Sequence, residues 1–331
     1  MKKFIDFLSL HNPDLIWTKS VGNMYGDWLN GNTIVSPDYP KEGGQVPNDV
    51  YATAFFAYST AILAKTARLL NKQKDKEYYD SLANAIKHAF GKQFIDSDGK
   101  IKGNTQAGYA LALEFDLVPP SLIKRAAGHM AKAVADYDYR ISTGIQSTIR
   151  LMNQLSVNGY SDIAYRLLKS RRFPSWLYSI DQGATTIWER WDGYVQGRGF
   201  QDKGMNSFNH YAIGAVGEWM YRHMLGINND VDNPGYRNII IHPVPGGNIH
   251  WAKGTYHSIA GEINVSWKKD DSTFNVEISI PMNTTATVIL PSGKEISEGG
   301  KLLDETGIIK KDQQQTCIRV GSGTYHFKIS L

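Results

Sequence analysis

The sequence predicts a multidomain α+β chain, a toroid of helical hairpins followed by a C-terminal antiparallel β-sandwich. Three observations carry this. At 331 residues the chain exceeds what one typical core holds. Residues 48 to about 226 run as apolar-periodic helical segments separated by loops, and after Asp230 the period changes from helical to alternating.

The helical part begins with an amphipathic segment in "MKKFIDFLSLHNPDLIW", with Phe4, Ile5 and Leu8 at helical spacing. Asp6 interrupts the apolar run and no small-residue cleavage site follows, so this is not read as a signal peptide, and a cytoplasmic protein is expected. "NDVYATAFFAYSTAILAKTARLL" opens on an Asn-Asp cap candidate, and "EYYDSLANAIKHAFGKQF" continues the pattern. "TQAGYALALEF" is apolar all round, as an inner helix would be. "SLIKRAAGHMAKAVADY" has one polar face, as an outer one would. "STGIQSTIRLMNQLSVNG" and "SDIAYRLLKS" read as an antiparallel pair turning at Gly159, and "MNSFNHYAIGAVGEWMYRHMLGI" as a final long helix. Beyond it, "TYHSIAGEINVSWKK", "TFNVEISIPM", "TATVILP", "TCIRVGSG" and "TYHFKISL" alternate polar and apolar residues between turns, as sandwich strands do. The boundary falls near 228–235.

Composition excludes several classes. Net charge is +4 and the cations are scattered, which argues against nucleic acid. No apolar run spans a bilayer. The lone Cys317, in a strand-like stretch, reads as a buried inert thiol. No Cys/His array has zinc spacing, and no motif calls for a metal or cofactor, so none is expected. His242, His250 and His257 read as strand residues. "GYVQGRGFQDKG" lacks the strand and Lys-Ser ending of a phosphate loop, and no Gly-x-Ser-x-Gly elbow is present.

Three stretches carry chemistry of another kind: residues 23–40 with Asp27 and Trp28, residues 171–204 with three of the eight tryptophans, and "MNSFNHY" with Asn206, Asn209 and His210. Indole rings beside Asp, Glu, Asn and His suit a sugar, whose C–H faces stack and whose hydroxyls need donors and acceptors. Hydrolysis of a glycoside adds a pair of carboxyl groups. Each residue also has a plainer role. Glu189 beside Arg190 could be half of a structural ion pair, and Trp188 and Trp191 could be core. Asp27 could be a turn residue, while His210 could be a satisfied polar group.

"YGDWL" (25–29), "PSWLY" (174–178), "GATTIWERWDG" (183–193) and "MNSFNHYAIGAVGEWMY" (205–221) resemble motifs of the bacterial α-L-rhamnosidases of glycoside hydrolase family 78, in the family's order. "IPMNTTATVILP" (280–291) resembles its C-terminal β domain. The resemblance implies an (α/α)6-barrel catalytic domain, here residues 1–230, followed by a β-sandwich, residues 231–331. It implies hydrolysis of terminal, non-reducing α-L-rhamnose with inversion. Glu189 takes the place of the general base and His210 that of a substrate contact, with Trp28, Asp27, Trp188 and Trp191 about the sugar. The family's general acid lies in an Arg-x-Glu-Arg type segment upstream of "GDW"; no such segment occurs here, and Asp27, Asp181 and Asp192 are the only nearby carboxylates that could take its place. With only 26 residues before Asp27, the toroid is expected to be incomplete at its N-terminus. The partners expected are a rhamnose-containing glycoside and the missing N-terminal half of a split or truncated enzyme. The alternative is a catalytically inactive rhamnoside-binding remnant.

Overall fold

The structure is a computed structural model that describes residues 1–19, 25–231, 233–303, 308–311 and 314–331. Asn23 and Met24, at the head of the first loop singled out above, lie outside the described residues. Backbone contacts divide the chain into two compact units, Met1–Gly214 and Ala215–Leu331.

Helical hairpins build the first unit. Helix α1 (Lys2–His11) buries Ile5 and Leu8. Phe4, expected on the same face, is exposed and rests edge-on against Trp17, since its position turns it off the buried stripe. Helices α2 (Asn48–Leu69) and α3 (Gln73–Phe94) pack as a hairpin. Ala52, Ala54, Ala57, Ala64 and Ala67 of α2 are buried, as are Phe56 against Trp17 and Phe90 against Phe94. The Asn-Asp cap candidate is not used, because Pro47 occupies the N-cap position and Asp49 sits in the first turn.

Helix α4 (Gln106–Glu114) is buried over Gln106–Ala112. Thr105 caps it by accepting from the Gly108 N–H. Gln106 is tolerated there because its amide donates to the Arg140 carbonyl and accepts from the Ser142 N–H. Helix α4 packs on amphipathic α5 (Ile123–Asp136) and on α6 (Thr148–Val157), which pairs with α7 (Ser161–Leu168). Gly159, at φ +85°, makes the α6–α7 turn in the left-handed region that favours glycine. A short α8 (Trp176–Asp181) comes next, then the two-residue strands β1 (Tyr194–Val195) and β2 (Gly199–Phe200).

The final long helix expected over "MNSFNHYAIGAVGEWMYRHMLGI" does not form. Residues 206–211 are non-helical. After them the chain makes a 3-10 turn at Ala212–Ala215, α9 (Val216–Trp219) and a π turn at Met220–Met224. Part of the backbone hydrogen bonding of 207–210 is taken by residues 187–189, and Gly214 and Gly217 weaken what remains.

The second unit holds two sheets. One is ordered β10-β9-β13-β7-β6-β5 and is antiparallel throughout. Its strands are β5 (Trp251–Ser258), β6 (Gly261–Lys269), β7 (Thr273–Ile280), β9 (Glu295–Glu298), β10 (Lys301–Leu302) and β13 (Gly323–Ser330). The other is ordered β11-β12-β8-β4-β3, from β3 (Ile227–Asn229), β4 (Asn238–Ile241), β8 (Thr285–Pro291), β11 (Ile308–Lys311) and β12 (Gln315–Val320).

Burial alternates as the sequence does: Phe274, Val276, Ile278 and Ile280 on β7 and Ala286, Val288 and Leu290 on β8 are inside. The expectation of purely antiparallel sheets needs one correction, for β4 and β8 run parallel. The chain leaves β4, builds β5–β7 in the other sheet, and returns beside β4 in the same direction, the long crossover that a parallel pair requires. Cys317, expected buried, is half-buried on β12.

Candidate active site

The loop from Gln182 to Tyr211 holds four of the six residues singled out as a sugar site. Gly183, at φ +87°, turns the chain out of α8. Residues 186–189 then run alongside 207–210. The Thr186 hydroxyl donates to the Phe208 carbonyl, the Glu189 N–H to the Ser207 carbonyl (2.9 Å), and the His210 N–H to the Ile187 carbonyl (2.9 Å). Trp188 is buried edge-on against Phe208 (5.1 Å, 83°), whereas Ile187 is exposed and Glu189 half-buried. Trp191 is buried too, edge-on to Trp176 at 5.2 Å. These hydrogen bonds put Glu189 and His210 on neighbouring backbone.

The ion pair weighed for Glu189 and Arg190 is not formed. Arg190 turns to Asp192 instead, with Nε–Oδ1 at 2.9 Å and Nη2–Oδ2 at 3.4 Å. Asp192 is 1% exposed. It also accepts from the Val35 N–H (2.9 Å) and the Gln201 amide (2.8 Å), with Arg198 at 3.7 Å. Arg190 and Arg198 then donate to the carbonyls of Thr33 and Val35, tying the 33–35 loop to 190–201. Glu189 is left half-exposed. Its Oε2 accepts from the Ser207 N–H at 2.9 Å, and Oε1 has no hydrogen-bond partner among the described residues. One fixed oxygen and one free oxygen are what a positioned proton acceptor needs.

His210 stacks on Tyr211 (5.6 Å, 3°), and its Nδ1 accepts from the Ala212 N–H at 3.4 Å. With that lone pair engaged, a neutral imidazole carries its proton on Nε2, as a donor. Asn206 donates to the Gly193 carbonyl, so it caps no helix, and its Oδ1 is buried without a partner. A cavity of about 60 Å³, too small for a sugar ring, is walled by Trp176, Ile187, Trp188, Arg190, Trp191 and Ile213.

Asp27 and Trp28 are held elsewhere in the same unit. The Asp27 carboxylate, 1% exposed, accepts from the Gly144 N–H (2.7 Å) and the Ser147 N–H (3.1 Å), pinning the turn that starts α6. Gly144 is required there, because a Cβ would lie 2.2 Å from the Trp28 carbonyl oxygen. Trp28 is half-buried, edge-on to Tyr25 at 5.3 Å. Among the described residues no hydrogen bond or ring contact joins Asp27 or Trp28 to Glu189 or His210. Asp181 pairs with Arg171. Arg198, Gln201 and Gly144 build this region although their sequence context marks none of them as special.

Burial outweighs the two N–H donors and lifts the Asp27 carboxyl from its ordinary 3.8 to about 6. The folded protein therefore holds that proton more tightly than the unfolded chain. The stability this gives is complete below pH 4 and lost as pH rises through 6, on the order of 3 kcal/mol in all. Urea unfolding at pH 5 and pH 7 is expected to show this slope in the native chain and not in Asp27→Asn.

The described residues contain no group of three or more His, Cys, Asp or Glu placed to hold a metal ion, and no helix long and apolar enough to cross a membrane. A family profile for the bacterial α-L-rhamnosidase six-hairpin glycosidase domain matches residues 1–224, and one for the bacterial α-L-rhamnosidase C-terminal domain matches residues 226–302. The chain belongs to the bacterial α-L-rhamnosidase family.

Among characterised relatives, the α-L-rhamnosidase of Streptomyces avermitilis is 41% identical over 327 residues, 98% of this chain and 30% of that protein. One from Formosa agariphila is 36% identical over 340 residues, 99% of this chain and 35% of that protein. The solved Streptomyces avermitilis α-L-rhamnosidase complexed with L-rhamnose superposes with a TM-score of 0.87 at 38% identity, covering 99% of this chain and 30% of that one. The Dictyoglumus thermophilum rhamnosidase gives 0.85 at 32% identity, covering 100% of this chain and 36% of that one. The chain thus spans about a third of the length of the rhamnosidases it matches.

Proposed function

We propose that this chain supplies the base side of an inverting α-L-rhamnosidase. The observation that carries the reading is the Arg190–Asp192 pair, which leaves Glu189 with one free carboxylate oxygen on a segment hydrogen-bonded along its backbone to that of His210. Glu189 draws a proton from water as that water attacks the anomeric carbon. A carboxylic acid on the opposite side protonates the leaving oxygen, the two carboxyl groups being roughly 6.5–9.5 Å apart to admit the water. The His210 Nε2–H donates to a sugar hydroxyl, and the tryptophan-walled cavity accepts the 6-methyl group of rhamnose. Trp28 offers a stacking face, and Asp27 fixes its loop. The hairpins of residues 1–230 form part of an (α/α)6 barrel, and the strands of residues 231–331 pack as a sandwich.

Asp27, Asp181 and Asp192, the other carboxylates weighed for the acid, are all engaged by protein groups. That favours a second reading, a rhamnoside-binding half that turns over substrate only with an acid from another segment. The chain alone is expected to hydrolyse an aryl α-L-rhamnoside little or not at all. Joined to the upstream part of a family member, it is expected to release β-L-rhamnose first, followed by proton NMR of the anomeric signal. Turnover by the chain alone that Glu189→Gln abolishes would put the acid within these residues. α-L-Rhamnose as the first product would refute Glu189 as a base.

A further inference from the structure

We propose that a tyrosine-lined groove in the second unit binds a neutral pyranose residue of an oligosaccharide, separately from the Glu189–His210 site. The groove has a volume of about 810 Å³, within the ~300–1,000 Å³ span of ligand clefts. Three rings line it. Tyr236 and Tyr256 are tilted at 40° with centroids 4.8 Å apart, and Tyr221 stands at 67° to Tyr256, 6.2 Å away. None of the three is buried. Partly exposed tyrosines that meet one another, rather than core, present apolar faces with hydroxyls at their edges, the combination that fits the C–H face and the hydroxyls of a sugar ring.

The backbone holds one of these rings at a cost. Tyr236 has φ +58°, a left-handed conformation uncommon for a bulky residue, after Gly235 at φ +102°. The Asn229 side-chain oxygen fixes it, accepting from the N–H groups of Gly235 (3.1 Å) and Tyr236 (3.2 Å). An extended backbone at this position would aim the ring elsewhere. Burial and its bond to Tyr256 push the Tyr236 phenol up to about 12, so it remains a neutral hydroxyl at any working pH.

Charge points to an uncharged ligand. Arg222 on the groove wall is paired with Glu218 at 2.9 Å, and its Nε donates to Asn228. His257, also on the wall, lies against Glu262 at 3.2 Å, so among the described residues no lining cation is left unpaired to invite a phosphate or carboxylate. The choice of rhamnose as the sugar rests on the function proposed above; the groove itself does not.

Saturation-transfer NMR with an α-linked L-rhamnose tetrasaccharide tests this on the full chain. Transfer is expected in the native chain and in His210→Ala, and a loss of at least tenfold in affinity is expected in Tyr256→Ala. Tyr221→Ala, which removes an exposed ring and should leave the fold intact, is expected to weaken binding as well; circular dichroism checks both variants. Transfer lost in His210→Ala and kept in both tyrosine variants would overturn the groove, as would no transfer to the native chain. Methyl α-L-rhamnoside, run in parallel on the same variants, separates the two sites: a response lost only in His210→Ala belongs to the Glu189–His210 site, and one lost only in the tyrosine variants belongs to the groove.

Discussion

Replacing Asp192 with alanine is expected to destabilise the first unit by about 3–5 kcal/mol, the cost of leaving a buried charge uncompensated. Asp192 is 1% exposed and the Arg190 side chain 11% exposed, so solvent can take over the lost partner only in part. The variant strands the Arg190 guanidinium, the Val35 N–H and the Gln201 amide together. Arg198, 29% exposed, adds little because water screens it. Asp192→Asn keeps the shape and some hydrogen bonds and should fall between the native chain and alanine. Urea unfolding followed by tryptophan fluorescence checks both. The consequence for the site should exceed the loss of stability, since the pair also keeps Arg190 from serving as a partner for Glu189.

Glu189→Gln is expected to lower kcat/KM of the assembled rhamnosidase by about 10²–10⁴-fold, the usual contribution of a positioned proton acceptor. That is roughly 3–5 kcal/mol of the barrier at 1.36 kcal/mol per decade. The glutamine oxygen can still accept from the Ser207 N–H, so loop geometry and KM should change little. A matching fall in stability would mean that Glu189 is holding the loop. Glu189→Asp withdraws the carboxylate by one methylene and should be severely, not completely, impaired.

The helices from α2 to α7 and most strands were legible because burial enforces a period, and the residues obey it. The segment at 205–227 was not. Its apolar spacing suits a helix, yet hydrogen bonds from 187–189 claim its first residues, and no local pattern records a partner twenty residues upstream. Asp27 shows the same limit: its acceptor role is set by backbone donors 117 and 120 residues away.

The ion pair weighed for Glu189 goes to Arg190 and Asp192 instead, and the backbone decides it. The chain bends at Glu189 and Arg190 and turns through Trp191 and Asp192, the Gly193 N–H donating to the Arg190 carbonyl at 3.3 Å, so Arg190 closes on Asp192 two residues on. The chemistry of the site was readable from residue type, and its wiring only from the backbone.

Hydrolysis needs a second carboxyl group; binding does not. Titration of L-rhamnose into the 331-residue chain, read from the indole N–H signals in proton–nitrogen NMR, is therefore the most direct test of the Glu189–His210 site. The signals of Trp188 and Trp191 are expected to shift in a saturable way, and His210→Ala is expected to weaken binding at least tenfold. Unchanged affinity in His210→Ala, with only indoles outside residues 176–191 responding, would contradict the site.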